Sequence, residues 1–291
     1  MLAQLFAVMA PVLVGASIGF GWIRLGYGYP TEFVTKLVFN IGTPALVLAS
    51  LANAEVDPDA FGRTLATTFL VLAGMALASF GVARLLRKPW QVIISPMMYP
   101  NAGNMGLPVA LYAFGKEGFT FAMTAWVANA LIQFTVGMMM ATRGSPWKAL
   151  VRNPTLYSIA ISLTLMLTGV SLPAWLGNTV HLLSGLTIPL MLITLGVSLA
   201  SIQARNLSSG FLFTLCRVPI ALALSFAIAA WLGLPPVAAS AVALQMSMPV
   251  AVYNYLFAQR SRREPEYVAG LVFCSTLLAF VYLPLELAFM L

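Results

Sequence analysis

The chain has 291 residues, of which 60% are hydrophobic and only 8% are charged. A mean hydropathy of +0.93 excludes an ordinary soluble domain, in which about a quarter of the residues are charged. The net charge of +7 does not indicate a nucleic-acid partner, because the basic residues are dispersed over many loops instead of forming one basic face. We therefore expect a membrane protein whose solvent is the lipid bilayer.

Apolar blocks of roughly the length that crosses a bilayer follow one another along the chain, separated by turn-forming or charged residues. The first block lacks the basic region and cleavage site of a signal peptide, so we expect it to remain as a helix. The blocks predict an all-α polytopic membrane protein with ten spans, numbered in chain order: 4–23, 33–52, 61–84, 91–114, 118–140, 153–171, 176–200, 208–231, 236–258 and 267–288.

The loops between these spans alternate in charge, and loops rich in Lys and Arg face the cytoplasm. One side holds only Arg63 and Lys116, with four of the eight acidic residues, and Arg217 falls inside span 8. Because the number of spans is even, both termini are predicted to lie outside the cytoplasm. The predicted cytoplasmic side holds twelve of the fifteen basic residues: Arg24, Lys36, Arg84, Arg87, Lys88, Arg143, Lys148, Arg152, Arg205, Arg260, Arg262 and Arg263.

The two halves of the chain contain similar segments. The stretch "NMGLPVALYAF" at 104–114 aligns with "QMSMPVAVYNY" at 245–255, which pairs Pro108 with Pro249 at an offset of 141 residues (249 − 108). A second pairing sets Pro44 against Pro189. With five spans in each half, the halves must face opposite ways, so the sequence predicts a 5+5 inverted repeat of the kind that many transporters share. Its parts are residues 1–140, a cytoplasmic linker at 141–152, and residues 153–291.

Spans 4 and 9 each carry helix breakers in mid-span. "YPNAGNMGLP" at 99–108 holds Pro100, Gly103 and Pro108, and span 9 holds Pro249. Proline has no N–H and clashes with the preceding turn, so backbone groups near residues 101–107 are expected to lose their helical partners. Such backbone is tolerated at membrane depth only where it is buried in protein or lines a cavity. There, freed amides and half-helix N-termini favour an anion.

Asn101 and Asn104 lie within this break, where an amide side chain can donate to a carboxylate. We expect them, with the backbone at Met105 and Gly106 and with Ser247 of span 9, to hold a substrate carboxylate. The alternative is that the asparagines only cap the broken backbone.

Four further polar residues are candidates for secondary contacts. Asn129 and Gln133 are four apart and share one helical face, which points either to the site or to a neighbouring helix. Gln245 and Asn254 of span 9 could contact an ion. A buried Arg217 could supply positive charge to a substrate, but it could equally reach the membrane surface or bind carbonyl groups.

These motifs resemble those of the auxin efflux carrier family: "PNAGNMGLP" in span 4, "TP" at 43–44 in span 2 and "MSMPVAVY" in span 9. The resemblance covers essentially the whole chain. It implies the fold of the bile-acid sodium symporters, in which spans 4 and 9 cross at their unwound centres. It also implies an elevator mechanism, with spans 1, 2, 6 and 7 as a scaffold that forms a homodimer and spans 3–5 and 8–10 as the moving core.

The short linker, "ATRGSPWKALVR" at 141–152, resembles that of prokaryotic members and not the long loop of plant auxin carriers. The resemblance then implies a small organic anion as substrate, a mono- or dicarboxylate such as malonate or malate. It also implies a location in the cytoplasmic (inner) membrane of a prokaryote.

The charges within the spans bear on ion coupling, because a proton or sodium site normally uses a buried carboxylate. Glu286 is the only candidate, and its place near the end of span 10 favours an interfacial carboxylate over a proton-coupling one. We therefore favour a uniporter. Symport with protons, or with sodium held by amides and hydroxyls, stays open, as does a channel-like anion pathway; the candidate sodium contacts are Gln245, Ser247, Asn254 and Asn129.

Enzyme chemistry has little support in this chain. It has two cysteines, one histidine and almost no acid within the spans, so a metal site or a pair of catalytic residues cannot easily form. No cofactor-binding or nucleotide-binding motif is present. We expect no enzyme activity, no metal and no cofactor.

Overall fold

The protein is all-helical in a computed structural model that describes residues 2–51, 58–137, 154–168, 170, 172–201 and 207–291. Three short π-helical segments interrupt the α-helices. The segments are π1 (Val38–Gly42), π2 (Ala102–Gly106) and π3 (Gln133–Gly137). In chain order the α-helices are α1 (Leu2–Arg24), α2 (Thr31–Leu37), α3 (Thr43–Leu51), α4 (Pro58–Leu85), α5 (Trp90–Met98), α6 (Leu107–Ile132), α7 (Pro154–Thr168), α8 (Ala174–Ser184), α9 (Thr187–Ser201), α10 (Leu207–Trp231), α11 (Pro236–Ser247), α12 (Tyr253–Ser261) and α13 (Pro265–Met290).

Seven helical stretches in the described residues are long and apolar enough to cross a membrane. One of these stretches, Ala102–Gly137, covers both span 4 and span 5, because two helices meet there at a kink at Gly115, whose non-helical φ of 65° suits glycine. Span 6 has only fifteen described helical residues in α7, and span 9 is divided into α11 and α12. The all-α prediction is confirmed for the described residues and many membrane-crossing helices are found, while the count of ten stays a prediction.

Helices α1 and α9 pack at very short range through glycine. A Cβ atom on Gly19 would collide with the carbonyl oxygen of Ile193, and one on Gly196 would collide with the carbonyl oxygen of Ala16. Small residues let two backbones approach closely where lipid offers no hydrophobic driving force. The pair α1 and α9 is therefore held by close backbone packing.

Helices α4 and α10 end in the same way and lead into the two broken spans. In α4, Arg87 adopts a left-handed conformation and the Lys88 amide donates to the Ala83 carbonyl. In α10, Gly233 is left-handed and the Leu234 amide donates to the Ala229 carbonyl. A proline follows each cap and starts the next helix, α5 or α11. The helices α5 and α11 thus each begin after the same kind of left-handed helix end.

The two broken spans meet at their breaks. Pro100, just after α5, and Val250, just after α11, form an isolated antiparallel bridge. The Asn101 amide donates to the Pro249 carbonyl at 2.6 Å, and the Ala251 amide donates to the Tyr99 carbonyl at 3.2 Å. Extended backbone from one span therefore pairs with extended backbone from the other.

The position of the first break differs from the sequence prediction. Residues 99–101 are non-helical, but Ala102–Gly106 form the hydrogen-bonded segment π2, and Pro108 lies in the first turn of α6 without interrupting it. A π turn widens the helix, which gives the proline ring room against the preceding turn. Pro108 was wrongly predicted to break span 4.

Each broken span has a proline shortly after its first half-helix, Pro100 after α5 and Pro249 after α11. In the bridge Pro100 faces Val250, while Pro249 contributes the carbonyl that accepts from the Asn101 amide. The alignment of Pro108 with Pro249 and the inverted repeat stay predictions.

Gly19 provides a test of the crossing between α1 and α9. We expect Gly19→Ala to destabilise the protein by about 1–3 kcal/mol, the usual cost of overpacking a tight contact. The matched control is Gly21→Ala on the same helix, where a Cβ atom meets no described atom within 4 Å. Thermal unfolding in detergent measures both variants, and equal stability of the two would contradict this account of the packing.

Candidate functional site

The half-helices α5 and α11 end at the crossing with the carbonyl groups of their last turns, and we call this the carbonyl side. One buried cation binds these carbonyls, Arg217 of α10, which is 1% exposed. Its Nε donates to the Pro96 carbonyl at 3.1 Å, its Nη1 to the Met248 carbonyl at 2.6 Å and its Nη2 to the Met246 carbonyl at 3.2 Å. These carbonyls lie at the C-terminal ends of α5 and α11. A single guanidinium group thus caps both first half-helices at their negative ends.

Proline chemistry explains why this cap is needed. The Pro96 carbonyl would ordinarily accept from the amide of residue 100, but Pro100 has no N–H. A carbonyl buried without a partner costs about 1–3 kcal/mol. The Nε atom of Arg217 supplies the missing donor.

Other side chains complete the pairing of the broken backbone. The Tyr282 hydroxyl donates to the Ser247 carbonyl at 2.9 Å, and the Val250 amide donates to the Ser275 hydroxyl at 3.0 Å. The Asn254 amide nitrogen donates to the Tyr99 carbonyl at 2.9 Å. The crossing is therefore a built structure in which neighbouring helices replace the lost helical bonds.

The helices that follow the two breaks begin at the crossing with their backbone amide groups, and we call this the amide side. The helical stretch that begins with π2 starts directly after Asn101, whose carbonyl accepts from the amides of Met105 and Gly106. The first three amides, at residues 102–104, have no acceptor within their own helix, as at the start of any helix. Helix α12 also begins at the crossing, at Tyr253. The starts of two helices, which carry partial positive charge, thus lie at the crossing.

A cavity of about 580 Å³ lies against these helix ends. Its wall contains hydroxyl, amide and aromatic side chains, and among its lining residues there is no Lys, Arg or His and only one acid, Glu266, which is exposed. The lining residues that carry polar or aromatic groups are Thr31, Thr35, Phe39, Asn101, Asn104, Trp126, Asn129, Gln133, Thr194, Ser198, Tyr253, Tyr255 and Glu266.

Three amide side chains in this wall have buried atoms that make no hydrogen bond to any described residue. They are Nδ2 of Asn101, Oδ1 of Asn129 and Nε2 of Gln133, on residues that are 5%, 2% and 6% exposed. Leaving such a group unpaired costs about 1–3 kcal/mol. A half-turn of the Asn129 amide would present its nitrogen in place of the oxygen. The cavity wall therefore contains three residues with a hydrogen-bonding atom that no described residue satisfies.

The structure brings together part of the predicted site. Asn101, Asn104, Asn129 and Gln133 all line the cavity, with Pro100 and Gly103 of the break beside them. Of the two interpretations of Asn129 and Gln133, the geometry favours the one in which their shared face points to the site.

Other predicted contacts lie behind the crossing. Met105 is fully buried in the core, and Gly106 packs so closely on Gln245 that a Cβ atom would collide with its Oε1. The Ser247 hydroxyl points to Glu286, to which it donates at 2.7 Å. None of these residues lines the cavity. The break was predicted over residues 101–107, but the non-helical backbone lies at 99–101 and residues 105 and 106 are already helical.

Two charged residues also differ from their predicted surroundings. Arg217 binds backbone carbonyls, one of the alternatives considered, and does not line the cavity. Glu286 was interpreted as interfacial, but it is 8% exposed and packs against the end of α11 through Ser247. Its position near the end of α13 gave no sign of this burial.

Several lining residues were not predicted. Thr194 and Ser198 are four apart on α9, and Trp126 precedes Asn129 by three positions on α6. Both spacings put the side chains on one helical face. The same spacing rule that selected Asn129 and Gln133 would have found them.

Arg217 allows a test of the cap. We expect Arg217→Met to unfold or strongly destabilise the protein, by about 3–5 kcal/mol, because it removes the donors of several buried carbonyls. Arg217→Lys should also be destabilised, since an ammonium group cannot reproduce the planar fork. The control is Arg84→Met, at an exposed arginine in the last turn of α4. Folded yield and thermal unfolding are the measurements, and wild-type stability of Arg217→Met would refute the cap.

Comparison with known proteins gives the family. A family model described as "Membrane transport protein" matches residues 138–287. An uncharacterized transporter of Methanothermobacter thermautotrophicus is 26% identical over 270 residues, which cover 87% of this chain and 86% of the relative. An uncharacterized transporter of Methanocaldococcus jannaschii is 23% identical over 203 residues, or 66% of each chain. The chain belongs to the membrane transport protein family, the transporters that include the auxin efflux carriers it resembles, and not to a family of enzymes.

Proposed function

We propose that the protein is a secondary transporter of a small organic anion, a mono- or dicarboxylate such as malonate or malate, across the cytoplasmic membrane of a prokaryote. The observation that carries this proposal is the buried, unpaired Nδ2 atom of Asn101 at the start of a half-helix beside the cavity. A donor in that place, next to the free amides at residues 102–104, fits a carboxylate.

The chemistry of the wall supports an anion over a cation. An ionised carboxylate accepts several hydrogen bonds, and hydrogen bonds to a charged partner are about twice as strong as neutral ones. Asn101 and Gln133 offer unpaired nitrogen donors, while the positive ends of two helices face the same cavity. The one lining carboxylate among the described residues, Glu266, is exposed at the start of α13.

Among the described residues, no Lys, Arg or His lines the cavity, and this limits how the second carboxylate group of a dicarboxylate could bind. One carboxylate can be held by amides and helix ends, but a second one has no cation to meet it in this wall. In a dicarboxylate, the second group would therefore stay hydrated in the wider part of the cavity. We expect a monocarboxylate with a compact apolar body to bind at least as well as malonate.

The walls of the cavity agree with an elevator mechanism. One wall comes from spans 2 and 7, through residues such as Thr35 and Thr194, and the other from spans 4, 5, 9 and 10, through residues such as Asn101 and Asn129. These are the predicted scaffold and the predicted moving core. The backbone pairing of two broken spans, each with a proline shortly after its first half-helix, supports the ten-helix inverted repeat that such a movement requires. A homodimer through the scaffold helices belongs to the same proposal.

The lining residues also indicate to which side of the membrane the cavity opens. Thr31 and Thr35 lie at the start of span 2, Ser198 near the end of span 7 and Glu266 at the start of span 10. The charge pattern predicts the cytoplasmic side for all of these span ends. We therefore propose that this conformation faces the cytoplasm, with both termini on the opposite side.

Substitution of the two asparagines tests the proposed site. Asn101→Ala and Asn104→Ala should each weaken carboxylate binding by about 10- to 100-fold, because a hydrogen bond to a charged group contributes about 1.5–3 kcal/mol. Thermal shift of the purified protein against a panel of mono-, di- and tricarboxylates identifies the ligand, and titration gives its affinity. Asn178→Ala, at an exposed position on α8, is the matched control. Unchanged affinity in Asn101→Ala would refute the assignment.

Transport kinetics distinguish a carrier from a channel. In proteoliposomes a carrier should give saturable uptake of malonate and accelerated exchange when unlabelled malonate is present inside. Flux that stays linear to high concentration, without such exchange, would favour an anion channel over the proposed carrier.

A further inference from the structure

Glu286 is a buried carboxylate that the proposed binding site does not use. It lies in the last turns of α13, yet it is only 8% exposed, and its Oε1 atom makes no hydrogen bond to any described residue. Its Oε2 atom contacts the hydroxyl of Ser247, the last residue of α11. The carboxylate is therefore attached to the broken span just before the crossing, while the cavity lies just after it.

The contacts of Ser247 point to two protonation states of this pair. The Ser247 hydroxyl is 2.7 Å from Oε2 of Glu286 and 3.1 Å from the Leu244 carbonyl, and both contacts have the geometry of a donated hydrogen bond. A hydroxyl has one hydrogen and can donate only once. When Glu286 is ionised, Ser247 donates to it and the Leu244 carbonyl loses the bond from the Ser247 hydroxyl. When Glu286 carries a proton, it can donate to Ser247, which then donates to Leu244, and both bonds are kept.

The neighbouring charges leave Glu286 without a direct counterion. The charged or titratable groups that face it are Arg217 from α10 and Tyr282 from α13 itself, while α11 contributes the neutral Ser247. Every nitrogen of Arg217 donates to a backbone carbonyl. Among the described residues no ion pair within 4 Å joins Arg217 to Glu286. A buried carboxylate with one neutral donor readily takes up a proton.

We propose that Glu286 is a proton-binding site of the transport core and that the carboxylate substrate is carried together with a proton. This inference rests on the proposed function. A bound anion at the amide side of the crossing adds negative charge near Glu286, which favours the neutral, protonated form. By linkage, a protonated Glu286 then favours the bound anion to the same extent.

This inference replaces the uniport that the sequence favoured. The reason for uniport was that no carboxylate was expected inside the spans, and burial of Glu286 removes that reason. Proton and anion then move as a pair with a smaller net charge than the anion alone. An inward proton gradient would therefore drive uptake.

Infrared spectroscopy tests the proton site without any substrate. Wild-type protein should gain the carbonyl band of a buried carboxylic acid as the pH is lowered, and Glu286→Gln should lack that band. Glu117→Gln, at an exposed acid, is the matched control and should keep it. If Glu286→Gln does not fold, Ser247→Ala serves instead and should displace the band, since its hydroxyl contacts the carboxyl group. A spectrum with no such band in the wild type, or with the same band in Glu286→Gln, would overturn the site.

Malonate uptake into proteoliposomes that enclose a pH-sensitive dye tests the coupling. The wild type should carry protons inward with malonate and respond several-fold to an inward proton gradient, whereas Glu286→Gln should lose both responses. Net malonate uptake without proton movement in the wild type would overturn the inference and leave the proposed function standing. If no carboxylate from the panel binds or exchanges, the proposed function fails, and so does the coupling, whatever the infrared result.

Discussion

The arrangement of this protein depends on one constraint, which is that two broken helices must pair their backbone where no water is available to do so. Proline at residues 100 and 249 removes an amide donor from each span at the place where the spans cross. The two extended segments supply some of the missing backbone hydrogen bonds by pairing with each other. Arg217 supplies most of the others by donating to carbonyls of both spans. Neither span could be broken alone without leaving unpaired groups.

The same constraint separates the crossing into two chemically different sides. On the carbonyl side the negative helix ends have a permanent partner, because Arg217 is part of the fold. On the amide side the positive helix ends meet a cavity and the unpaired amides of Asn101, Asn129 and Gln133. The carbonyl ends are therefore paired permanently by a cation, whereas the donors on the amide side line an open cavity in which an exchangeable anion can bind. Glu286 ties this arrangement to a proton, through the short contact with Ser247.

Much of the fold and part of the site follow from local sequence rules. Proline and glycine in an apolar run mark the breaks, and a four-residue spacing places Asn129 and Gln133 on one face. What could not be predicted depends on contacts distant in the chain. Pro108 has the same local chemistry as Pro100, and only the π turn before it shows which one breaks the helix. Glu286 is near the end of its own helix, and its hydrogen-bond partner Ser247 in α11 lies 39 residues away.

The position of the bound carboxylate tests the central claim most directly. Solid-state NMR can measure the distance from a ¹³C-labelled carboxyl group to ¹⁵N-labelled asparagine side chains, with the carboxylate that stabilises the protein most. The account predicts contacts within hydrogen-bond range, and the contact of Asn101 should disappear in Asn101→Ala when ligand concentration is raised to restore occupancy. A bound carboxylate with no such contact, or one whose contact survives the substitution, would contradict the placement of the anion at the crossing.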